Sequence, residues 1–271
     1  MLKFRSFSPK QRVLLTWWTP QSSHRSRDAV LCDGAVRSGK TVCMGLSFFL
    51  WAFEAFPGGG GQFGLCGKTI GSLRRNLLDE LLPYLKKQGF SIKERRSDNT
   101  LTVTKKGRTH RFYLFGGNHE GSAALIQGVT LSGVLLDEAA LMPRSFVEQA
   151  AARCSVKGAR IWMNCNPQHP GHWFYTEWVL GAEAKNALYL HFTMADNPAL
   201  SDGVRRKYER LYSGVFYQRF ILGRWTALSG RIYDFFDPRR DAAPPPDEPL
   251  EEYVISADYG TRNSDTSNPR G

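Results

Sequence analysis

The sequence has only five cysteines, an odd number, and no two of them form a C-x-x-C pair. Most lie in apolar runs, so we interpret them as buried thiols in a reducing compartment. Two histidines, His169 and His172, lie close together, but no cysteine or carboxylate stands at metal-ligand spacing beside them. These patterns exclude the disulfide-rich secreted class and argue against a zinc site.

Long hydrophobic runs are also missing. The first residues contain no apolar segment typical of a signal peptide. The longest apolar stretch, residues 45–56, contains Glu54 and is too short to span a bilayer. We therefore expect a cytosolic protein that has no membrane partner.

Acidic residues are scarce relative to basic ones. The 25 Asp and Glu residues face 36 Lys and Arg residues, which leaves a formal net charge of +11. This excess favours a polyanionic partner, with nucleic acid ahead of an acidic membrane surface, although a surplus that only aids solubility is an equally good reading of charge alone. The length of 271 residues allows one large domain or two unequal ones.

Residues 34–41, GAVRSGKT, match the phosphate-loop pattern G-x-x-x-x-G-K-[ST] in full. The apolar residues 29–32 before the loop are typical of a buried strand, and residues 42–56 after it predict a helix whose N-terminus faces the phosphates. Two glycines let the backbone N–H groups converge on phosphate oxygens, the lysine reaches the β- and γ-phosphates, and the threonine offers its hydroxyl to Mg²⁺. The predicted nucleotide-binding residues are Gly34, Ala35, Val36, Arg37, Ser38, Gly39, Lys40 and Thr41.

A second site is predicted where the apolar residues 133–136 end in Asp137 and Glu138. At the end of a strand, Asp137 can hold Mg²⁺ through water and Glu138 can polarise the attacking water. Such a carboxylate pair is a weak signal alone and a strong one beside a complete phosphate loop.

Two further groups of polar residues are predicted to support this site. Ser8 is a plausible N-cap of a helix with Pro9 in its first position, and Gln11 could present its amide to the adenine edge. Taken alone, Gln11 is more typical of a solvated helix. Asn164 and Asn166 follow the predicted strand 160–164 and could sense hydrolysis by exchanging hydrogen bonds, although an Asn-Pro turn is the simpler reading.

The remaining periodicities complete an α/β pattern. We expect a helix over 72–87, a hairpin turning at Lys106 and Gly107, a strand over 188–193 and a basic helix capped by Ser201. Residues 242–249, AAPPPDEP, have the composition of a linker, and Asp258 lies on a new predicted strand beyond it.

Together these motifs resemble the large terminase subunit of tailed bacteriophages, the ATP-driven motor that packages DNA into empty capsids. The resemblance covers almost the whole chain. It rests on five segments: residues 8–11 (SPKQ), 34–41 (GAVRSGKT), 133–143 (GVLLDEAALMP), 164–167 (NCNP) and 222–225 (LGRW).

The resemblance implies a P-loop NTPase fold of the ASCE or RecA-like type, a mostly parallel sheet with helices on both faces. It also implies roles: Gln11 recognises adenine, Arg37 approaches the γ-phosphate, and Asn164 and Asn166 couple hydrolysis to movement. Lys40 and Thr41 hold the phosphates and Mg²⁺, Asp137 organises Mg²⁺ and Glu138 activates water. The implied partners are double-stranded DNA, the portal protein, the small terminase subunit and further copies in a ring on the procapsid.

The resemblance also predicts a domain plan. Residues 1–228 would form the ATPase, residues 229–249 a linker, and residues 250–271 the start of an incomplete RNase H-like nuclease. Asp258 matches the first carboxylate of that nuclease, which would use Mg²⁺ or Mn²⁺. Asp265 is nearby, but nothing places it on a structured element, so we expect no DNA cleavage by this chain. A helicase, a nucleotide-switched scaffold protein and an inactive prophage remnant remain the alternative readings.

Overall fold

A computed structural model describes residues 6–227 as a sheet of eight strands with helices packed around it. The strands are β1 (Ala29–Gly34), β2 (Gln62–Gly67), β3 (Ser91–Arg95), β4 (Thr100–Lys105), β5 (Arg108–Gly116), β6 (Gly133–Leu136), β7 (Arg160–Asn164) and β8 (Ala187–Phe192). The α-helices are α1 (Pro9–Thr16), α2 (Lys40–Ala55), α3 (Ile70–Leu73), α4 (Asp79–Lys87), α5 (Ala123–Ile126), α6 (Arg144–Ala152), α7 (Asp202–Leu211) and α8 (Gly214–Phe220).

The sheet has the order β3-β4-β5-β2-β6-β7-β1-β8. The six strands from β5 to β8 along this order pair in parallel. Every residue of β1 and β6 is buried, as expected for parallel strands that are covered on both faces. The predicted parallel α/β sheet is therefore confirmed, and β7 lies between the strand that enters the phosphate loop and the strand that ends in the two carboxylates.

An antiparallel extension, β3-β4-β5, lies at one side of the sheet. The predicted hairpin is confirmed: Lys106 and Gly107 both have positive φ values, 48° and 78°, which a tight two-residue turn requires. The sequence analysis missed β3, because only Ile92 among its five residues is even partly buried and the others are exposed.

The two largest apolar cores among residues 6–227 lie on opposite faces of the sheet. One contains α1, α2 and α4 with buried residues such as Phe48, Trp51 and Phe112. The other contains α6 with buried residues such as Leu136 and Phe146. Burial of this much apolar surface on both faces is the main stabilisation of the fold.

The predicted helix over 72–87 forms, but not as one continuous α-helix. A π-helical turn, Arg74–Leu78, separates α3 from α4, and Pro83 lies inside α4. Proline lacks the N–H that an α-helix needs, and π turns commonly interrupt helices near functional sites. Leu73, Leu77, Leu81 and Leu85 nevertheless all lie in the same core.

Among residues 6–227, none of the helices has both the length and the apolar character needed to cross a bilayer. The predicted linker, 229–249, and the predicted nuclease strand with Asp258 and Asp265 lie outside the described residues.

Ser47 supplies a testable constraint on the core around α2. Its hydroxyl donates to the Leu14 carbonyl oxygen at 2.7 Å and accepts from the indole nitrogens of Trp18 at 3.1 Å and Trp162 at 3.3 Å. Ser47→Ala should lower the free energy of unfolding by about 2 kcal/mol, because these polar groups lose a partner. Chemical denaturation measures this, and the exposed Ser91→Ala, which should change it by less than about 0.5 kcal/mol, is the control. Equal effects of both substitutions would contradict the assignment.

Candidate functional site

The phosphate loop joins β1 to α2 and requires glycine at both ends. Gly34 has a φ of +126°, and a Cβ there would overlap the Phe192 carbonyl oxygen. Gly39 is the N-cap of α2 with a φ of +80°. The Ala35 N–H donates to the Phe192 oxygen at 2.7 Å, so β8 holds the first residues of the loop. The backbone curl predicted from the sequence is therefore present.

Lys40, the first residue of α2, has its ammonium group inside the loop. Its Nζ donates to the carbonyl oxygens of Gly34 at 3.2 Å and Ala35 at 2.9 Å, and to Oδ1 of Asn166 at 2.7 Å. Burial lowers the pKa of this ammonium, while the nearby carboxylates of Asp33 and Asp137 oppose the shift. A cation held by neutral oxygens at a loop of convergent N–H groups is suited to bind phosphate.

The two predicted carboxylates lie where β6 ends. Asp137 is buried, and its backbone N–H donates to the Cys66 oxygen of β2 at 2.8 Å. Burial raises the pKa of the Asp137 carboxyl, while hydrogen bonds from Asn164 and Thr41 oppose that rise. Glu138 has left-handed backbone angles, φ 59° and ψ 47°, which are rare for a residue other than glycine and are often found at functional sites. Burial and the Asp137 charge raise the pKa of the Glu138 carboxyl.

Asn164, at the end of β7, contacts both halves of the site. Its Nδ2 donates to Oδ1 of Asp137 at 2.7 Å and to Oγ1 of Thr41 at 3.2 Å. Its Oδ1 accepts from the Glu138 backbone N–H at 2.8 Å. One fully buried amide therefore joins the phosphate loop to both carboxylate residues.

These residues surround one cavity of about 570 Å³. The predicted residues that line it are Gln11, Val36, Arg37, Ser38, Gly39, Lys40, Thr41, Asp137, Glu138 and Asn166. Gly34, Ala35 and Asn164 lie behind this surface and support it. Arg75, Asn76 and Glu80, from the π turn and α4, also line the cavity, and the sequence analysis did not single them out.

Gln11 lines the cavity, and the helix that carries it begins as the sequence predicted. Ser8 caps α1 and Pro9 is its first residue, as predicted, and the Gln11 side chain accepts from the Ser8 backbone N–H at 3.1 Å. Its Nε2 donates to the Ser38 carbonyl oxygen at 3.1 Å, so α1 is tied to the phosphate loop. The role of Gln11 in adenine recognition stays a prediction.

Arg37 lies at the exposed side of the loop, with a φ of 59°. Its Nε is 3.4 Å from the Tyr208 hydroxyl, and its carbonyl oxygen accepts from Asn197 Nδ2 at 2.7 Å. Its approach to a γ-phosphate stays a prediction. Asp258 lies outside the described residues.

The sequence analysis missed a buried carboxylate beside the loop. Asp33 is fully buried and accepts hydrogen bonds from Tyr189, His191 and Trp225. The sequence offered one sign of it, because Asp33 is the single charged residue in the otherwise apolar strand β1. Its partners come from distant parts of the chain, so no local pattern announces them.

The cavity offers oxygen ligands of the type that Mg²⁺ prefers. Thr41 Oγ1 and Asp137 Oδ1 both lie within hydrogen-bond distance of the same nitrogen, Nδ2 of Asn164, and are therefore close together. Among residues 6–227, no cluster of three or more His, Cys, Asp or Glu side chains is arranged to hold a metal ion. The residues present thus fit an ion that takes its other ligands from phosphate and water.

Comparison with known proteins identifies relatives of this chain. A family model described as terminase large subunit, T4likevirus-type, N-terminal, matches residues 31–240. The comparison with curated proteins gave no match.

Solved structures match over most of the chain. The large terminase of a thermophilic bacteriophage shares 51% identity with a TM-score of 0.81, covering 96% of this chain and 63% of that one. The same terminase in complex with ATP-gamma-S matches at 50% identity and a TM-score of 0.79, covering 95% and 62%. This chain thus spans less than two thirds of the length of those proteins. The large terminase of bacteriophage HK97 shares 12% identity and a TM-score of 0.59 over 83% of this chain and 52% of that one, a likeness of fold alone.

Proposed function

Because this chain belongs to the family of large terminase subunits, we propose that it hydrolyses ATP and uses the energy to move double-stranded viral DNA into a procapsid. Residues 1–228 would form the ATPase domain. The relatives solved with ADP and with ATP-gamma-S support nucleotide as the ligand of the cavity.

One observation carries the ATPase proposal: Asn164 holds Asp137, Glu138 and Thr41 in one hydrogen-bonded group at the mouth of the phosphate loop. A protein that only binds nucleotide needs the loop. A hydrolase also needs a carboxylate beside the loop to act on water, and the position of Glu138 in the lining of the same cavity supports that role. This arrangement favours a hydrolase over a nucleotide-switched scaffold.

The chain's own residues divide the work as follows. Backbone N–H groups of residues 37–41 and the Lys40 ammonium bind the phosphates, and Gln11 and Arg37 act at the base and the γ-phosphate. Glu138 accepts a proton from the attacking water. Mg²⁺, held by Thr41 and by Asp137, would neutralise charge on the phosphate oxygens during transfer.

Lys40 must exchange partners during this cycle. Its Nζ bonds Asn166 Oδ1 at 2.7 Å, and a γ-phosphate would compete with that oxygen for the ammonium. Asn166 would then respond to whether the γ-phosphate is bound, as the coupling role proposed for Asn164 and Asn166 requires.

The partners proposed are those of a packaging motor: double-stranded DNA, the portal protein, the small terminase subunit and further copies of this chain in a ring. The formal net charge of +11 supports a polyanion as the substrate. Residues 229–249 are proposed as a linker, and Asp258 as the first carboxylate of an RNase H-like nuclease that uses Mg²⁺ or Mn²⁺. The proposed compartment is the host cytoplasm.

Two substitutions separate binding from hydrolysis. Lys40→Ala should weaken ATP binding more than about tenfold, because the lysine contacts phosphate in the ground state. Glu138→Gln should keep ATP affinity and lower kcat about a hundredfold or more, because the glutamate acts on the water. Equilibrium binding and steady-state hydrolysis measure the two effects. Wild-type turnover in Glu138→Gln would refute its role.

The DNA proposal predicts a strong dependence on salt. Duplex binding should be independent of sequence and weaken steeply as salt rises, because Lys and Arg side chains displace counterions from the phosphates. Titrating fluorescent duplexes of two unrelated sequences across a range of salt concentrations tests this. Binding that ignores salt, or that prefers one short sequence, would count against a translocating motor.

A further inference from the structure

Asp33 is a fully buried carboxylate one residue before the phosphate loop, and three side chains donate hydrogen bonds to it. Its Oδ1 accepts from Tyr189 Oη at 2.9 Å and from His191 Nδ1 at 2.8 Å, and its Oδ2 accepts from Trp225 Nε1 at 2.6 Å. We call these four residues the Asp33 cluster. A buried carboxylate is tolerated only when it is paired in this way.

His191 extends the cluster beyond the sheet. It lies opposite Asp33 in the β1–β8 register, and its Nε2 is 3.1 Å from the Leu222 carbonyl oxygen. A carboxylate and a carbonyl oxygen can only accept, so both hydrogen bonds form together only when both ring nitrogens carry a proton and the ring is an imidazolium. The hydrogen bond to Asp33 raises the pKa of His191, although partial burial opposes the rise.

The last residue of α8 and the residues that follow it lie directly against the phosphate loop. The Val36 N–H donates to the Phe220 carbonyl oxygen at 3.1 Å. Gly223 has a φ of +69°, and a Cβ there would lie 2.5 Å from the Ala35 nitrogen. Residues 220–225 therefore support the loop from one side, and His191 and Trp225 attach them to Asp33.

Charged side chains on neighbouring helices also interact with His191 and Asp33. Lys10 of α1 disfavours the imidazolium, but it is itself paired with Asp196 at 3.0 Å. Lys40 of α2 is attracted to Asp33, which links the cluster electrostatically to the cation that binds phosphate. The charge of Asp33 thus acts on both His191 and Lys40.

We propose that Asp33 and His191 are positioning residues, which hold residues 220–225 most firmly against the phosphate loop while His191 is protonated. A neutral imidazole must give up its bond to either Asp33 or Leu222, and the loop then loses support where its N–H groups converge on phosphate. This inference rests on the proposed nucleotide site and adds a protonation requirement to it.

The test is the pH dependence of nucleotide affinity, measured with fluorescently labelled ADP between about pH 6 and pH 9. Wild-type affinity should be highest at low pH and fall about tenfold as pH rises through the raised pKa of His191, because one charge-assisted bond is lost. His191→Gln should bind about tenfold more weakly at pH 6 and lack this transition. Asp33→Asn should move the transition to lower pH, because the carboxylate that favours the imidazolium is gone.

His24→Gln is the matched control, since His24 bonds Ser22 and Arg27 through its backbone, and neither residue belongs to the cluster. It should keep the wild-type affinity and profile. A purely structural role for the cluster would weaken binding in His191→Gln without removing a pH transition. A wild-type profile in His191→Gln, or one that merely shifts in affinity at every pH, would overturn the proposal.

A second measurement does not depend on the variants folding. Histidine NMR of the wild-type chain should show His191 titrating above the ordinary value of 6.5. Titration at or below that value would overturn the proposal. If the wild-type chain bound no labelled ADP at any pH, the proposed function would fail, and the imidazole titration would still decide whether the cluster holds an imidazolium.

Discussion

The side-chain amide of Asn164 is the interaction on which the candidate site depends. Thr41 is in the phosphate loop, and Asp137 and Glu138 follow another strand, yet all three bond this one buried residue. An amide can donate and accept at once, so it can hold a hydroxyl, a carboxylate and a backbone N–H together. Because the group is buried, the loss of either side would leave polar atoms without partners. The phosphate loop and the carboxylate pair are therefore positioned relative to each other by the same side chain.

Strand order explains why an asparagine of β7 has this position. β7 lies between β1 and β6 and is parallel to both, so the carboxyl ends of the three strands meet at one edge. Lys40, Asp137 and Asn164 follow or end these strands. On the far side of β1, β8 supplies His191 to Asp33, and Phe192 supports Ala35. The phosphate loop is thus held from both neighbouring strands.

The parts of this site that sequence reasoning could find are those in which one short segment contains the chemistry. Residues 34–41, Asp137 and Glu138 are of this kind, and so is the Ser8 cap of α1. The bonding of Asn164 to all three partners could not be read from its neighbours, because it depends on which strand lies between which. Asp33 was missed for the same reason: its partners are distant in the chain. The exposed strand β3 lacks the apolar alternation that marks a buried strand, and the π turn at Arg74–Leu78 leaves the leucine pattern unchanged.

The Mg²⁺ dependence of ATP hydrolysis in Asn164→Ala tests the central claim most directly. If this amide sets the positions of Thr41, Asp137 and Glu138, its removal should lower kcat and raise the Mg²⁺ concentration for half-maximal activity, each by about tenfold to a hundredfold. Binding of ADP without metal should change little, because Lys40 and the loop N–H groups remain. A variant with wild-type kcat and wild-type Mg²⁺ requirement would contradict the account.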